Sequence, residues 1–489
     1  MTLAPVHRRP RVLRRVLAVA GVAALAVAGV VQPATAVDIP PIVGHVWPGV
    51  VPSDRDQRIQ VWGAGLDGAT SVTFGGVPGT GLVETNGNVS VDVPRHPAGI
   101  VDVVVTTPGG TSNAVPIEFV DTHAGVVSRV PLRIENASVY TYDRPTCLLV
   151  VGTNGVPAGA SGVLLNVTVH GKGAGHVAVY PDPGVDVPGP AISTVNFEAD
   201  REVANAAFVA TGNDGSICYQ VRGANAWVII DVTGFVMGDA GMELQTPVRL
   251  LDTRSGSGPV PSGTVQTVQV RGQAGVPDDA AAVILNATVT GTAGLGNLRL
   301  FPAGTPVPTA STVNYAPGKD KANLAIVPLS SSGKISFVSD AGGSTAHVIL
   351  DVAGYVTAGG AYRGATPTRV LDTRPGSGHV GAVVGPLQAR TPYTIEVPSA
   401  LVPAGATSVA LNVTAIGPNA YGNLRVYPSG SATVPDASTI NYILGRDIPN
   451  LVVVDLPDTG PATVTLYSDV GPGGTVHVAA DVTGFVVAP

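Results

Sequence analysis

Three stretches of one pattern decide the fold: Val228-Ile-Ile-Asp-Val-Thr-Gly-Phe235, Val348-Ile-Leu-Asp-Val-Ala-Gly-Tyr355 and Val478-Ala-Ala-Asp-Val-Thr-Gly-Phe485. Each closes a longer unit. Upstream of each lies Leu165-Asn-Val-Thr168, Leu285-Asn-Ala-Thr288 or Leu411-Asn-Val-Thr414. Between them recur Tyr180-Pro181, Phe301-Pro302 and Tyr427-Pro428, then Ser193-Thr-Val-Asn196, Ser311-Thr-Val-Asn314 and Ser438-Thr-Ile-Asn441. The copies occupy 125–236, 245–356 and 365–487. Units of that length can bury their own cores, so each reads as a domain rather than a solenoid turn. In the second copy, short Val- and Leu-rich runs at 248–252, 265–270, 282–290, 297–301, 312–315, 324–329, 335–339 and 347–352 alternate with Gly, Pro, Ser and Asp clusters. Short strands at that spacing predict an antiparallel β-sandwich; a trefoil-like barrel is the alternative. The Gly-containing stretches near 237–245 and 357–365 read as short linkers.

Composition agrees with an all-β chain. The 489 residues include 62 Gly and 42 Pro, and only 12% are charged. Gly and Pro at that density break long helices. Aromatics are 5%, so the core is built from Val, Ala, Leu and Ile. Residues 1–36 read as a signal peptide. Arg8, Arg9, Arg11, Arg14 and Arg15 precede the apolar run 16–31, and Ala34-Thr35-Ala36 offers a small-residue cleavage site. Removing those five arginines leaves 22 basic against 34 acidic residues. A surface of that sign repels phosphate backbones, which argues against nucleic acid as a partner. No later run is long and apolar enough to form a membrane-spanning helix. The reading is of a secreted protein, extracellular or attached to a cell wall. Its oligomeric state is not set by the sequence.

Residues 39–121 form a different module. Ile59-Gln-Val-Trp-Gly-Ala-Gly-Leu66, Ser71-Val-Thr-Phe-Gly-Gly76, Val91-Asp-Val-Pro94 and Ala98-Gly-Ile-Val-Asp-Val-Val-Val-Thr-Thr-Pro-Gly-Gly110 resemble the IPT/TIG family. That resemblance implies an immunoglobulin-like sandwich acting as a spacer or adhesive module. The three later copies are similar to repeats of secreted actinobacterial proteins. Those open on Arg-x-Leu-Asp-Thr-Arg, as in Arg249-Leu-Leu-Asp-Thr-Arg254 and Arg369-Val-Leu-Asp-Thr-Arg374. The first copy departs from this with Arg133-Ile-Glu-Asn-Ala-Ser138. The resemblance implies no enzymatic activity.

The chain lacks Gly-x-Ser-x-Gly, His-Glu-x-x-His, a phosphate loop and a Cys/His cluster of zinc spacing, so neither metal nor other cofactor is expected. His347 and Asp351 share a strand face but lie four residues, about 13 Å, apart, too far for a dyad. Trp227 stands where the other copies have His347 and His477.

The candidate binding residues are Asp252, Arg254, Asp372 and Arg374, with Arg299, Phe301, Arg425 and Tyr427. Each Asp-Thr-Arg pair projects from one face beside Gly256-Ser-Gly258 or Gly376-Ser-Gly378, and reads either as an ion pair or as an Arg fork for a ligand. Phe301 and Tyr427 share a face with Arg299 and Arg425, so an exposed ring could stack on a sugar; packing is the other reading. On these residues, ligand binding is expected in copies two and three more than in copy one. Asn166, Asn286, Asn412, Asp231, Asp351 and Asp481 sit within apolar strands and must find partners, either loop backbone that holds each domain in register or a ligand. Cys147 and Cys218 are the only cysteines, and in an exported chain they are expected to pair. The function expected is non-catalytic binding of an extracellular polysaccharide or surface protein. Tandem copies would add avidity. A purely structural spacer and an enzyme with a site between domains are the alternatives.

Overall fold

The computed structural model describes residues 39–123, 125–140, 144–185, 187, 189–376, 378–436 and 438–487. The expected leader at 1–36 lies outside them. Every regular element among the described residues is a strand, and the strands form two-sheet sandwiches in series.

The first sandwich sets Ile42–Trp47, Gln57–Ala64, Asn88–Val93 and Thr80–Thr85 against a sheet centred on Val115–Val120, Gly99–Thr107 and Ser71–Phe74. Ile59, Val61, Phe74, Val91, Val105 and Phe119 fill the space between. The strand Val50–Pro52 pairs in parallel with Val115–Val120. This module is docked on the first repeat. Gly49 N donates to Gly152 O at 3.0 Å, Arg129 pairs with Glu118 at 2.6 Å, and Val50 and Val120 join the repeat's core.

Each repeat is a sandwich, not a trefoil. Its larger sheet runs in the order opening, closing, central and axial strand. The opening strands are Val126–Val139, Met242–Asp252 and Tyr362–Asp372, and the closing strands are Ala226–Met237, Thr345–Thr357 and Thr475–Val487. The central strands are Ala160–Gly171, Ala280–Thr290 and Ala406–Ile416, and the axial strands are Glu202–Ala210, Lys321–Pro328 and Ile448–Asp455. All eight runs read in the second copy fall on strands, the opening strand beginning six residues earlier and the closing strand ending five residues later than expected. The Asp-Val-x-Gly pattern marks a register shift in the closing strand, between the pairs Ile284↔Gly354 and Leu285↔Val352. Glycine is required there by close approach. A Cβ on Gly234, Gly354 or Gly484 would collide with the carbonyl oxygen of Val127, Glu243 or Arg363 on the opening strand.

The linker reading is corrected. Met242 and Tyr362 begin long opening strands, and Ala240, Met242, Ala361 and Tyr362 are buried. They belong to a shared core in which Leu164, Phe208, Ile284, Leu324, Ile326, Leu451 and Val453 meet from all three repeats. Each such side chain contributes about 1.5–3 kcal/mol when fully withdrawn from water, so the repeats are packed together rather than strung out. The central strands are thereby buried on both faces. Leu285 and Ala287 face their own sandwich, while Ile284 faces the seam.

Candidate functional site

The seam explains the recurrent asparagines. Asn166 Nδ2 donates to Ser438 O at 2.6 Å, Asn286 Nδ2 to Ser193 O, and Asn412 Nδ2 to Ser311 O at 2.6 Å. Each bond crosses to the loop of another repeat, and the three close a ring: one on three, two on one, three on two. A second set reinforces it. Asn205 donates to Asn286 Oδ1 at 3.0 Å, Asn323 to Asn412 Oδ1 at 3.0 Å and Asn450 to Asn166 Oδ1 at 3.1 Å. The expectation that these asparagines hold each domain's own register is therefore corrected: their partners lie across the seam. Buried amides need such partners, and here the partner is another copy of the same motif.

The Asp-Thr-Arg motif is the end of an ion-pair chain. Arg249 Nε reaches Asp351 Oδ1 at 2.5 Å and Arg249 Nη1 reaches Asp252 Oδ2 at 2.8 Å. Arg254 then grips Asp252 with bonds of 2.9 and 2.6 Å. Arg369, Asp481, Asp372 and Arg374 repeat the chain. Hydrogen bonds from Arg254 hold the Asp252 carboxyl down to about 2. Burial pushes the Asp351 and Asp481 carboxyls up, against the pull of their arginines. The middle threonines bond histidine: Thr253 Oγ1 and His347 Nδ1 are 3.1 Å apart, as are Thr373 Oγ1 and His477 Nδ1. In repeat one, Trp227 Nε1 donates to Asn136 Oδ1 at 2.6 Å instead, which accounts for the His-to-Trp exchange. Ser377, in one of the flanking Gly-Ser-Gly loops, lies outside the described residues.

The stacking expectation fails. Phe301 and Tyr427 are 2% and 5% exposed, so neither ring offers a face to a sugar. Leu298 and Leu300 do point into the core as read, but the loop after the strand folds over the opposite face. In repeat one Tyr180 packs with Ala178, Ile192 and Cys218, and Arg222 fixes the loop through Gly189 O and Pro190 O. Arg425 does the same through Pro435 O and also pairs with Asp469. Arg299 bonds Asn297 and faces Asp340. The disulfide forms as expected, Cys147 and Cys218 standing opposite each other on paired strands.

What the eight candidate residues do not make, the beginnings of the axial strands do. A cleft of about 530 Å³ opens there, lined by all three repeats. The volume falls within the range of ligand sites. Its walls follow the Ser-Thr-Val-Asn motifs into Arg201-Glu-Val203, Lys319-Asp-Lys321 and Arg446-Asp-Ile448. A basic residue and an acid recur, and the third position diverges: Val203 and Ile448 are apolar, Lys321 is not. Glu198 of repeat one takes Lys319 at 2.7 Å and Arg201 at 3.7 Å. Glu202 accepts from Asn441 of repeat three at 2.9 Å. Asp320 lies close enough to Arg254, and Asp447 to Arg374, for their charges to stabilise the guanidinium. The exposed arginines of the Asp-Thr-Arg motif, 50% and 49% exposed on their side chains, thus act electrostatically on two carboxylates that line the cleft. Asn314, also in the wall, has an Oδ1 that is closed off from solvent and has no hydrogen-bond partner among the described residues. The equivalent atoms of Asn196 and Asn441 take the hydroxyls of Ser193 and Ser438. The cleft was not read from the sequence, although aligning the three copies past their Ser-Thr-Val-Asn motifs exposes the recurring charge pair and the odd lysine.

No family model and no curated protein matches the chain. Among solved structures, it is similar to SGBP-B of the Bacteroides ovatus mixed-linkage glucan utilization locus, in complex with a mixed-linkage heptasaccharide. The identity is 13%, with 65% of this chain and 77% of that one covered and a TM-score of 0.19. It is also similar to the surface glycan-binding protein PbSGBP-B from Prevotella bryantii, at 10% identity, 65% and 98% coverage and a TM-score of 0.14. A third similarity is to an archaeal virus protein with a triple jelly roll fold, at 10% identity, 80% and 90% coverage and a TM-score of 0.18. At those identities and TM-scores none of them bears on the arrangement or the ligand of this chain.

Proposed function

We propose that the protein is an extracellular, non-catalytic binding protein that holds a polysaccharide segment in the axial cleft. The observation that carries this is the cleft itself: one ligand-sized opening, lined by amides, carboxylates and cations from three repeats. Such walls suit a hydroxyl-rich ligand, whose many donors and acceptors match fixed polar partners. Because the three copies close on one cleft, they supply parts of one site rather than three weak sites, and the avidity argument is replaced. Of the cleft's carboxylates, Glu198, Glu202, Asp340 and Asp447 are engaged by lysine, arginine, asparagine or backbone donors, a supporting role rather than an acid–base pair. The disulfide suits an oxidising compartment. In this reading the 39–121 sandwich is the IPT/TIG-like module, docked on repeat one as a spacer.

The test is affinity electrophoresis and calorimetry of the full chain against soluble neutral and acidic glycans. At least one should be retained. Ala316→Trp, which fills the cleft wall without touching an ion pair, should abolish retention with an unchanged melt. Retention of none would sink the proposal and favour a purely structural spacer. Release of new reducing ends would show an enzyme instead.

A further inference from the structure

The three seams are not sealed alike. Strand pairing makes Ser128, Leu244 and Gly364 equivalent on the opening strands, each opposite the glycine of the closing pattern. On the side that faces them, Gly162 with Ala210, Ala282 with Pro328 and Ser408 with Asp455 are equivalent pairs of central and axial strand. Between repeats one and two, Leu244 packs onto Gly162; between two and three, Pro328 packs onto Gly364; neither glycine has room for a Cβ. Those seams join repeats that follow one another in the chain, across 238–241 and 358–361. The third seam joins the last repeat to the first and has no such link. There a carboxylate takes the place of the apolar contact. Asp455 Oδ1 accepts from Ser128 Oγ at 2.6 Å and from Ser408 Oγ at 2.8 Å, and the Ser128 N–H donates to the same carboxylate. Both serines are buried. Desolvation works against the charged carboxylate, so it depends on those donors.

Ser128 is in turn positioned from outside the ring. The opening strand leaves its ladder between Ser128 and Leu132, so the sheet does not fix the residues between them. Arg129 does. Its guanidinium donates to Gly155 O at 2.7 Å and to Glu118 of the N-terminal sandwich at 2.6 Å. At the same place Gln245 bonds Ala274 O within its own repeat, and copy three has Ala365. Among the described residues, only repeat one places a seam contact and a contact to another body on consecutive residues. We infer that docking of the 39–121 module and closure of the ring are coupled through Ser128-Arg129, so that the module clamps the one seam without a chain link. This goes beyond a spacer role and does not depend on what the cleft binds. The docked module fixes Arg129, Arg129 fixes the backbone outside the ladder, and that backbone aims the donors of Ser128 at Asp455. Ordering the segment costs conformational entropy once, so whichever contact forms first lowers the cost of the other.

Hydrogen exchange of the full chain tests this from both ends, because a coupling between two contacts is reciprocal. Glu118→Ala, a change within the module, should speed exchange along the axial strand Ile448–Asp455 by about threefold or more, while Lys321–Pro328 keeps its protection. Ser408→Ala, a change within repeat three, should in turn speed exchange along Val115–Val120 of the module. Asp455→Ala should do so more strongly, and Asp455→Asn, which keeps an acceptor for both serines, should stay close to native. In Arg129→Ala, adding Glu118→Ala should change nothing further at the seam. Unchanged protection of Ile448–Asp455 in Glu118→Ala would overturn the inference. So would a rise shared equally with Lys321–Pro328, which is general destabilisation. So would single effects of Glu118→Ala and Asp455→Ala that simply multiply in the double variant, which is independence. Should Asp455→Ala not fold, Ser408→Ala takes its place in that double variant, with the same outcomes deciding.

Discussion

Arg249 stands between two acids, and its loss is predicted to be felt mainly at Asp351. Arg249→Ala leaves a carboxylate that is 2% exposed on its side chain without its cation, and breaking such a pair costs about 3–5 kcal/mol. Burial already raises the Asp351 carboxyl, and losing the arginine raises it further. The penalty belongs to the charged form, so it should be larger near pH 8 and shrink as the pH falls and the carboxyl takes up a proton. Denaturant titrations at both ends of that range check this. Asp252 behaves in the opposite sense. Its carboxyl is held at about 2, chiefly by the hydrogen bonds from Arg254. Its contribution is present above the ordinary carboxylate value near 4 and is lost as the pH falls from there towards 2. Arg254→Ala should therefore flatten that acid limb. At Lys321, burial brings the ammonium down to about 8. Glu198, Arg201, Glu202, Lys319, Asp320, Asp340, Arg446 and Asp447 share its cleft and set the field in which it titrates, together with Tyr315, whose phenol burial raises. The charged form is the one the fold disfavours, so its cost should be relieved as the pH rises from about 8 towards the ordinary lysine value near 10. Denaturant titrations of the native chain and Lys321→Met across that range check it, the gain in stability with pH being smaller in the variant.

The central strands show how an apolar run conceals a polar purpose. Ala281-Ala-Val-Ile-Leu-Asn-Ala-Thr288 reads as a buried strand, and its alternation places Leu285 inward and Asn286 outward. What covers Asn286 could not be read locally, because Ser193 is 93 residues away and belongs to another copy. Asn286→Ala should cost about 1–3 kcal/mol by leaving Ser193 O and the Asn205 amide short of partners. Asn286→Asp should cost at least as much, since a carboxylate would face the Ser193 carbonyl. Melts of the full chain decide it, and an unchanged melt with altered ligand binding would assign the residue to the cleft instead. Strand positions were legible because repetition exposed them three times over. The exposed-ring reading failed because alternation tells which face a side chain leaves from, not whether a loop returns to cover it. The cysteine pairing was legible because the repeat aligned two cysteines on neighbouring strands. With a sequence separation of 71, that cross-link contributes about 4 kcal/mol in the chain-entropy picture. Reduction should lower the melt of repeat one and its docked module by a corresponding amount.

Taken as one body, the chain is a ring of three sandwiches with a fourth docked on the first. A repeat cut from that ring loses the cover of its outer face. Residues 245–356 alone would expose Ala282, Ile284, Leu324 and Ile326, all 3% exposed or less in the intact chain, and a contiguous apolar face of that kind drives association. The excised repeat should self-associate in light scattering, while 125–487 should remain a folded monomer in the same buffer. A well-behaved monomeric repeat two would contradict the shared core. The links around the ring are not all equal. Asn450 Oδ1 receives the Ala206 N–H at 2.8 Å and Asn205 Oδ1 receives the Leu324 N–H at 3.2 Å, but Asn323 Oδ1 receives no donor among the described residues. The contact of repeat two with repeat three is the first place to open under denaturant, and hydrogen exchange along Lys321–Pro328 and Ile448–Asp455 should report it. A closed ring also governs how such a gene can change. Beads on a string may be gained or lost by unequal recombination between similar copies, each length folding as well as the last. Here a deletion would leave two outer faces unmatched and a fourth copy would find no gap to enter, so the number three is fixed by the geometry of the asparagine contacts.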